Sequence, residues 1–202
     1  DDLNLDKNTV VVFVSDNGGV SAGDAFATSN LPLRGGKGYQ WEAGTKTPFF
    51  IKTPHLNIQG KKVETPVMGA DLFPTLLELA GLENPVKVDG KSLVPLLKGK
   101  SFDDRPLFWH YPHYHNGSGM KPASAIRWKN YKLIEWHEPT LLNKANQIEL
   151  YDLTVDPGES NNLSLKIPEI TFLMRNKLMN WTNEVDAKMP KVNEVQIDIK
   201  KL

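Results

Sequence analysis

The sequence predicts an α/β sheet domain followed by a small α+β lobe, and three observations carry that prediction. Val10 to Val14 is a short, continuous apolar run rather than an alternating one. Such a run favours a strand buried on both faces, as in a parallel sheet covered by helices. Strand-like and helix-like patterns then alternate through the first half, the signature of an α/β layer. Beyond Arg105 the texture changes to successive short strands closed by one amphipathic helix. These shifts divide the chain into residues 1–104 and residues 105–202.

Each element has a local cause. Phe49 to Lys52 is a second short apolar strand, stopped by Thr53-Pro54. From Asp71 to Leu82 the residues Leu72, Phe73, Leu76, Leu77 and Ala80 recur at helical spacing. Asp71 is placed to cap that helix, Pro74 sits in the tolerated first turn, and Gly81 ends it. Residues 89–100 (DGKSLVPLLKGK) read as a loop with a short apolar turn. Four strands follow: Leu107 to Tyr111, Ser124 to Trp128, Tyr131 to His137 and Ile148 to Leu153. Lys129-Asn130 forms a two-residue hairpin loop in which Asn tolerates a positive φ. Asp156-Pro157-Gly158 is a turn, since Pro presets φ and Gly accepts the strained position. Pro168 opens a helix over about 168–184 whose Ile170, Leu173, Met174, Lys177, Leu178 and Trp181 share one face. The strand aromatics Phe108, Trp109, Trp128, Tyr131, Trp136 and Tyr151 read as core and cross-strand pairs. Glu135 and Asp152 read as surface carboxylates.

Composition narrows the function classes. The chain has 202 residues, a formal net charge of zero and 40% hydrophobic content. That is enough to bury one core or two small ones. The neutral balance, with no clustered Lys and Arg, argues against a nucleic-acid partner. No stretch approaches the ~20 apolar residues of a membrane span, which argues against a membrane partner. There are no cysteines and therefore no disulfides. A first residue other than Met, and a core strand within ten residues of it, fit a piece of a longer protein.

Three groups of residues carry candidate chemistry. Asp16 and Asn17 fall at the carboxyl end of a strand, where ligands bind in open α/β sheets. A carboxylate and an amide carbonyl are hard oxygen donors that suit calcium better than zinc. Taken alone, Asp-Asn-Gly is common turn chemistry. Lys37 sits in Arg34-Gly35-Gly36-Lys37-Gly38, where glycines let the backbone approach an anion and the ammonium supplies a point charge. An isolated GGKG segment is more simply a flexible loop, and the phosphate-loop spacing is absent. His110, His113 and His115 form the third group, in WHYPHYH. Imidazoles so spaced could bind a transition metal, contact a sugar or donate a proton. No carboxylate or cysteine lies near in sequence, which disfavours a metal. With two tyrosines and the loop 116–119 they read as a rim for a polar substrate, without individual roles.

Together these motifs resemble the sulfatases, the arylsulfatase branch of the alkaline-phosphatase-like superfamily. The resemblance rests on SDNGG, LRGGKG, Glu42-Ala43-Gly44 with Pro48, GADLFPTLLELAGL, DGKSLVPLL, RPLFWHYP, SAIRWKNYKLI and ELYDLTVDPGE. It spans residues 9 to about 184. It implies that residues 1–104 are the C-terminal part of an alkaline-phosphatase-like sheet domain. Asp16 and Asn17 become ligands of the active-site calcium, and Lys37 becomes a catalytic contact to the sulfate ester. The family often shows Glu-Gly-Gly-X-Arg-X-Pro where this chain has Glu42 to Pro48. An ammonium does not reproduce a guanidinium fork, so no role passes to Lys46. Sulfatases carry their nucleophile, a formylglycine made from cysteine in Cys-X-Pro-X-Arg, near the N-terminus, outside this chain. A hydrated formylglycine attacks sulfur while calcium and lysine neutralise charge on the sulfate oxygens.

The expected function is therefore that of the C-terminal part of a sulfatase, acting on a sulfate ester of a sulfated sugar. The isolated chain is expected to be inactive and, through its open strand edge, prone to self-association. Periplasmic, secreted or lysosome-like placement follows from the resemblance alone. Two rivals stand beside this reading. A phosphatase or phosphodiesterase of the same superfamily would commonly show Asp-His where this chain has Asp16-Asn17. A non-catalytic carbohydrate-binding module would not need the metal motif.

Overall fold

The computed structural model describes residues 2–21, 28–54, 56, 58, 60–83, 85–145 and 147–192. Near the N-terminus, β1 (Val11–Val14) pairs antiparallel with β2 (Phe49–Lys52), Val11 opposite Lys52 and Val14 opposite Phe49. This differs from the parallel, doubly buried strand expected for Val10 to Val14. Val11, Phe13 and Val14 are 52%, 60% and 42% exposed, and the Phe13 and Phe50 rings lie 5.9 Å apart on an open face. A continuous apolar run reports that a strand wants cover on both sides. It does not report which strand pairs with it.

Helix α1 (Glu42–Thr45) is a single turn, and α2 (Leu72–Leu79) is the helix expected after Asp71. Pro74 lies in its first turn, and Gly81, at φ 71°, ends it. There the Leu82 N–H reaches the Leu77 carbonyl and the Gly81 N–H that of Glu78. Asp71 does not cap α2 with its side chain. Its fully buried carboxylate accepts the Met68 N–H, the Lys91 N–H and the Arg105 guanidinium. The Thr75 hydroxyl donates to the Asp71 carbonyl and accepts the Leu93 N–H, docking α3 (Val94–Leu97).

The second half is an antiparallel sheet in the order β3 (Leu107–Tyr111), β4 (Ala123–Trp128), β5 (Tyr131–Trp136), β6 (Gln147–Asp152). The β4–β5 hairpin closes with Trp128 opposite Tyr131. Its left-handed residue is Lys129, at φ 53°, and not Asn130. Asn130 instead turns its carbonyl to the Leu153 N–H. After the short α4 (Glu138–Leu141) and β6, the chain returns as α5 (Pro168–Glu184).

Period-two alternation gives this sheet two different faces. Ile126, Leu133 and Leu150 pack against Met174 and Leu178 of α5, and Phe108 stacks on Trp181 with ring centroids 4.8 Å apart. Leu173 departs from the expected helix face and is 43% exposed. Glu135, expected on the surface, is buried on this side and accepts from Arg175. The other face carries Ala123, Ala125, Ile134 and Trp136, against which Tyr39 and Trp41 pack. The sheet is thus the floor on which residues 34–45 rest. Among the described residues no helix is long and apolar enough to cross a membrane.

Candidate functional site

Three backbone segments meet on that floor. Asp16 and Asn17 follow β1, whose pairing the Ser15 N–H extends to the Pro48 carbonyl at 3.2 Å. The Gly18 N–H donates to the Gly44 carbonyl (3.1 Å), the Lys37 N–H to the Gly19 carbonyl (3.0 Å), and the Ala43 N–H to the Arg34 carbonyl (3.2 Å). The glycines are required by this closeness. A Cβ on Gly18 would lie 1.6 Å from the Ala43 oxygen, on Gly44 2.0 Å from the Tyr39 oxygen, and on Gly36 2.4 Å from the Gly19 oxygen. Each is far inside van der Waals contact, so any side chain there pushes two loops apart. Asp16 and Lys37 are exposed on neighbouring loops.

The Asn17 amide Nδ2 donates to the Gly18 carbonyl (2.9 Å), and the Ser15 hydroxyl to the Asn17 carbonyl (2.8 Å). Both contacts fix the turn and leave Asn17 Oδ1 and the Asp16 carboxylate as oxygen donors. Two hard oxygens fit a calcium ion by type, although calcium takes about 6–8. Among the described residues, no group of three or more His, Cys, Asp or Glu stands ready to hold a metal.

The three histidines separate. His110 faces α5, on the side of the sheet away from residues 34–45. Its Nδ1 meets the Ser124 hydroxyl at 2.7 Å and its Nε2 the Lys188 carbonyl at 2.9 Å. The Ser124 hydroxyl also lies 2.7 Å from His137 Nε2, and burial pushes the His137 pKa down. His113 is exposed, edge-on to Tyr111. His115 lies beside the Lys37 loop: its Nδ1 accepts the Ser118 N–H, and Ser118 packs on Gly38 and accepts the Tyr39 hydroxyl at its carbonyl. Alternation along β3 turns His110 to the α5 side, opposite Trp109, whereas His113 and His115 lie beyond the end of the strand at Tyr111.

Beneath the junction lies a charged cluster that the sequence reading does not mark. Lys132, fully buried on β5, donates to Glu42 Oε1 (3.1 Å) and to the Thr45 hydroxyl (2.9 Å), and lies 3.9 Å from Glu159 Oε1. Glu159 Oε2 accepts the Glu42 N–H at 2.6 Å. The Arg34 guanidinium covers the Trp41 ring at 3.8 Å and donates to the Glu159 carbonyl and the Tyr151 hydroxyl. Tyr151 in turn donates to Glu149. Burial holds Lys132 below the usual lysine range against the pull of Glu42 and Glu159. Burial also pushes Glu159 up to about 7, with Lys132 opposing.

Comparison with known proteins shows the family. Residues 36–184 match the family model for the C-terminal region of N-sulphoglucosamine sulphohydrolase. A sulfatase of Formosa agariphila is 36% identical over 194 residues, covering 87% of this chain and 33% of that protein. Mouse steryl-sulfatase is 32% identical over 189 residues, covering 81% of this chain and 30% of its own length. A solved structure in complex with its substrate D-glucosamine-2-N,6-O-disulfate superimposes with a TM-score of 0.71 at 24% identity, covering 93% of this chain and 37% of that one. The chain therefore spans about a third of the length of these curated relatives. It belongs to the sulfatase family, in whose C-terminal region its fold and sequence lie.

Proposed function

We propose that this chain forms one wall of the active site of a sulfatase that hydrolyses sulfate esters, with a sulfated sugar as substrate. The carrying observation is the three-segment junction, which seats the Lys37 loop against the turn after Asp16-Asn17 by backbone hydrogen bonds. Asp16 and Asn17 would hold a calcium ion with their oxygens, and that ion would supply electrostatic stabilisation to the sulfate oxygens. Lys37, exposed beside them, neutralises charge that builds on sulfate as the ester bond breaks. The reading places the nucleophile, a formylglycine by resemblance, outside these cysteine-free residues. The sugar reading draws on the disulfated glucosamine of the solved neighbour. On this reading His115, beside Gly38, would border such a ligand, whereas His110 faces away.

An amide at position 17 favours this over the phosphatase reading, where imidazole would suit zinc or manganese. In a sulfatase carrying this chain, Asp16→Ala should lower kcat/KM for an aryl sulfate by about 100-fold, about 2.7 kcal/mol, and raise the calcium needed for half-activity. Exposed Lys100→Ala serves as the control. Equal behaviour of the two variants rules out the metal assignment.

A further inference from the structure

Glu159 has a combination of features that its turn alone does not require. It is fully buried, at 0% exposure, and adopts φ 51°, a left-handed conformation that costs a non-glycine residue about 1–2 kcal/mol. Side chains persist in that region when their surroundings over-determine them. Here the surroundings are three charged residues from distant segments. The Arg34 guanidinium donates to the Glu159 carbonyl at 2.9 Å, Lys132 stands 3.9 Å from Oε1, and Oε2 accepts the Glu42 N–H at 2.6 Å. Among the described residues Oε1 has no hydrogen-bond partner, so the carboxylate's hydrogen bond is the one to Glu42, with Lys132 as its ion-pair partner.

Glu42 is the first residue of α1, and the next two residues, Ala43 and Gly44, belong to the junction itself. The Gly44 carbonyl receives the Gly18 N–H, the Cα of Gly44 packs on the carbonyls of Tyr39 and Gly36, and Ala43 donates to Arg34. A displacement of Glu42 moves Ala43 and Gly44. Because contacts at Gly18, Gly36 and Gly44 leave no room for a Cβ, the Asp16 and Lys37 loops must move with them.

We propose that Glu159 is a positioning residue: the carboxylate it brings from the C-terminal lobe fixes the Glu42 backbone, and through α1 sets the Lys37 loop against the Asp16-Asn17 turn. The role of that loop as a sulfate pocket rests on the function proposed above, while the mechanical link does not. Lys132 sets the carboxylate's place from below, and Arg34 does so through the Glu159 carbonyl.

Amide hydrogen exchange on the full 202-residue chain tests the link without recourse to activity. Glu159→Ala should lower protection of the Gly18, Lys37 and Glu42 amides at least tenfold, and leave the Ile126 and Leu133 amides of β4 and β5 within threefold. Glu159→Gln keeps an oxygen for the Glu42 N–H, so its Gly18, Lys37 and Glu42 amides should change by no more than threefold relative to its Ile126 and Leu133 amides. Glu159→Asp withdraws the acceptor by one methylene while keeping its charge. It should reproduce the selective loss, and it carries the test if the alanine variant does not fold. A uniform fall across both sets, no fall, or a glutamine variant as damaged as alanine each overturns the proposal. Lys37→Ala, assayed in a sulfatase carrying this chain, keeps the two ideas apart. Selective exchange with full activity sinks the pocket and spares the link; lost activity with unselective exchange does the reverse.

Discussion

Lys132 and Glu159 show how a buried charge is tolerated only in company. Each would cost several kcal/mol alone; the Glu42 and Glu159 carboxylates compensate Lys132, while the Lys132 ammonium and the Glu42 backbone N–H compensate Glu159 against repulsion from the Glu42 carboxylate. The compensation is incomplete at Glu159, whose carboxyl is pushed up from 4.5 to about 7 by burial, with the Lys132 charge opposing. Between those two values the folded chain holds this proton more tightly than the unfolded chain. The stability it contributes is therefore fully present below about 4.5 and is lost as pH rises through about 7. Glutamine does not titrate. Denaturation of wild type and Glu159→Gln should show a difference between them that changes by about 2 kcal/mol in wild type's disfavour from pH 5 to pH 7. A difference independent of pH would contradict the burial argument.

At the scale of elements, much of the second half is legible because its signals are local. Strands in period two, a two-residue loop and a proline-opened helix give bounds within a residue or so of those observed. The antiparallel partner of β1 is not legible, since its apolar run carries no address for β2 some 35 residues on. The junction is partly legible: glycines beside Asp16, Asn17 and Lys37 mark close backbone approach, and the structure brings those loops together. The Glu42–Lys132–Glu159 cluster is not, because its members are 90 and 117 positions apart and no local pattern pairs them. Asp71 illustrates the same limit. As a helix cap it would contribute about 1 kcal/mol. As the buried partner of Arg105, joining three segments, it should cost about 3–5 kcal/mol to remove. Urea unfolding of Asp71→Ala separates the two: a loss near 1 kcal/mol would return Asp71 to the capping role.

Across the whole molecule, the interior is concentrated where α5 and residues 34–45 clasp the four-stranded sheet from opposite sides. The β1–β2 ribbon is the exception, with Phe13 and Phe50 60% and 66% exposed. The loops bearing Asp16 and Lys37 thus stand between a well-packed lobe and an open apolar ribbon, and on the proposed reading they contribute one wall of a larger site. Lys37 is where that account is most exposed, for it alone is asked to touch the sulfate group. The direct measurement is kcat/KM for an aryl sulfate at saturating calcium, in a sulfatase carrying this chain, for wild type, Lys37→Ala and Lys100→Ala. The account predicts a fall of about 100-fold or more for Lys37→Ala alone. Equal rates for all three would contradict it.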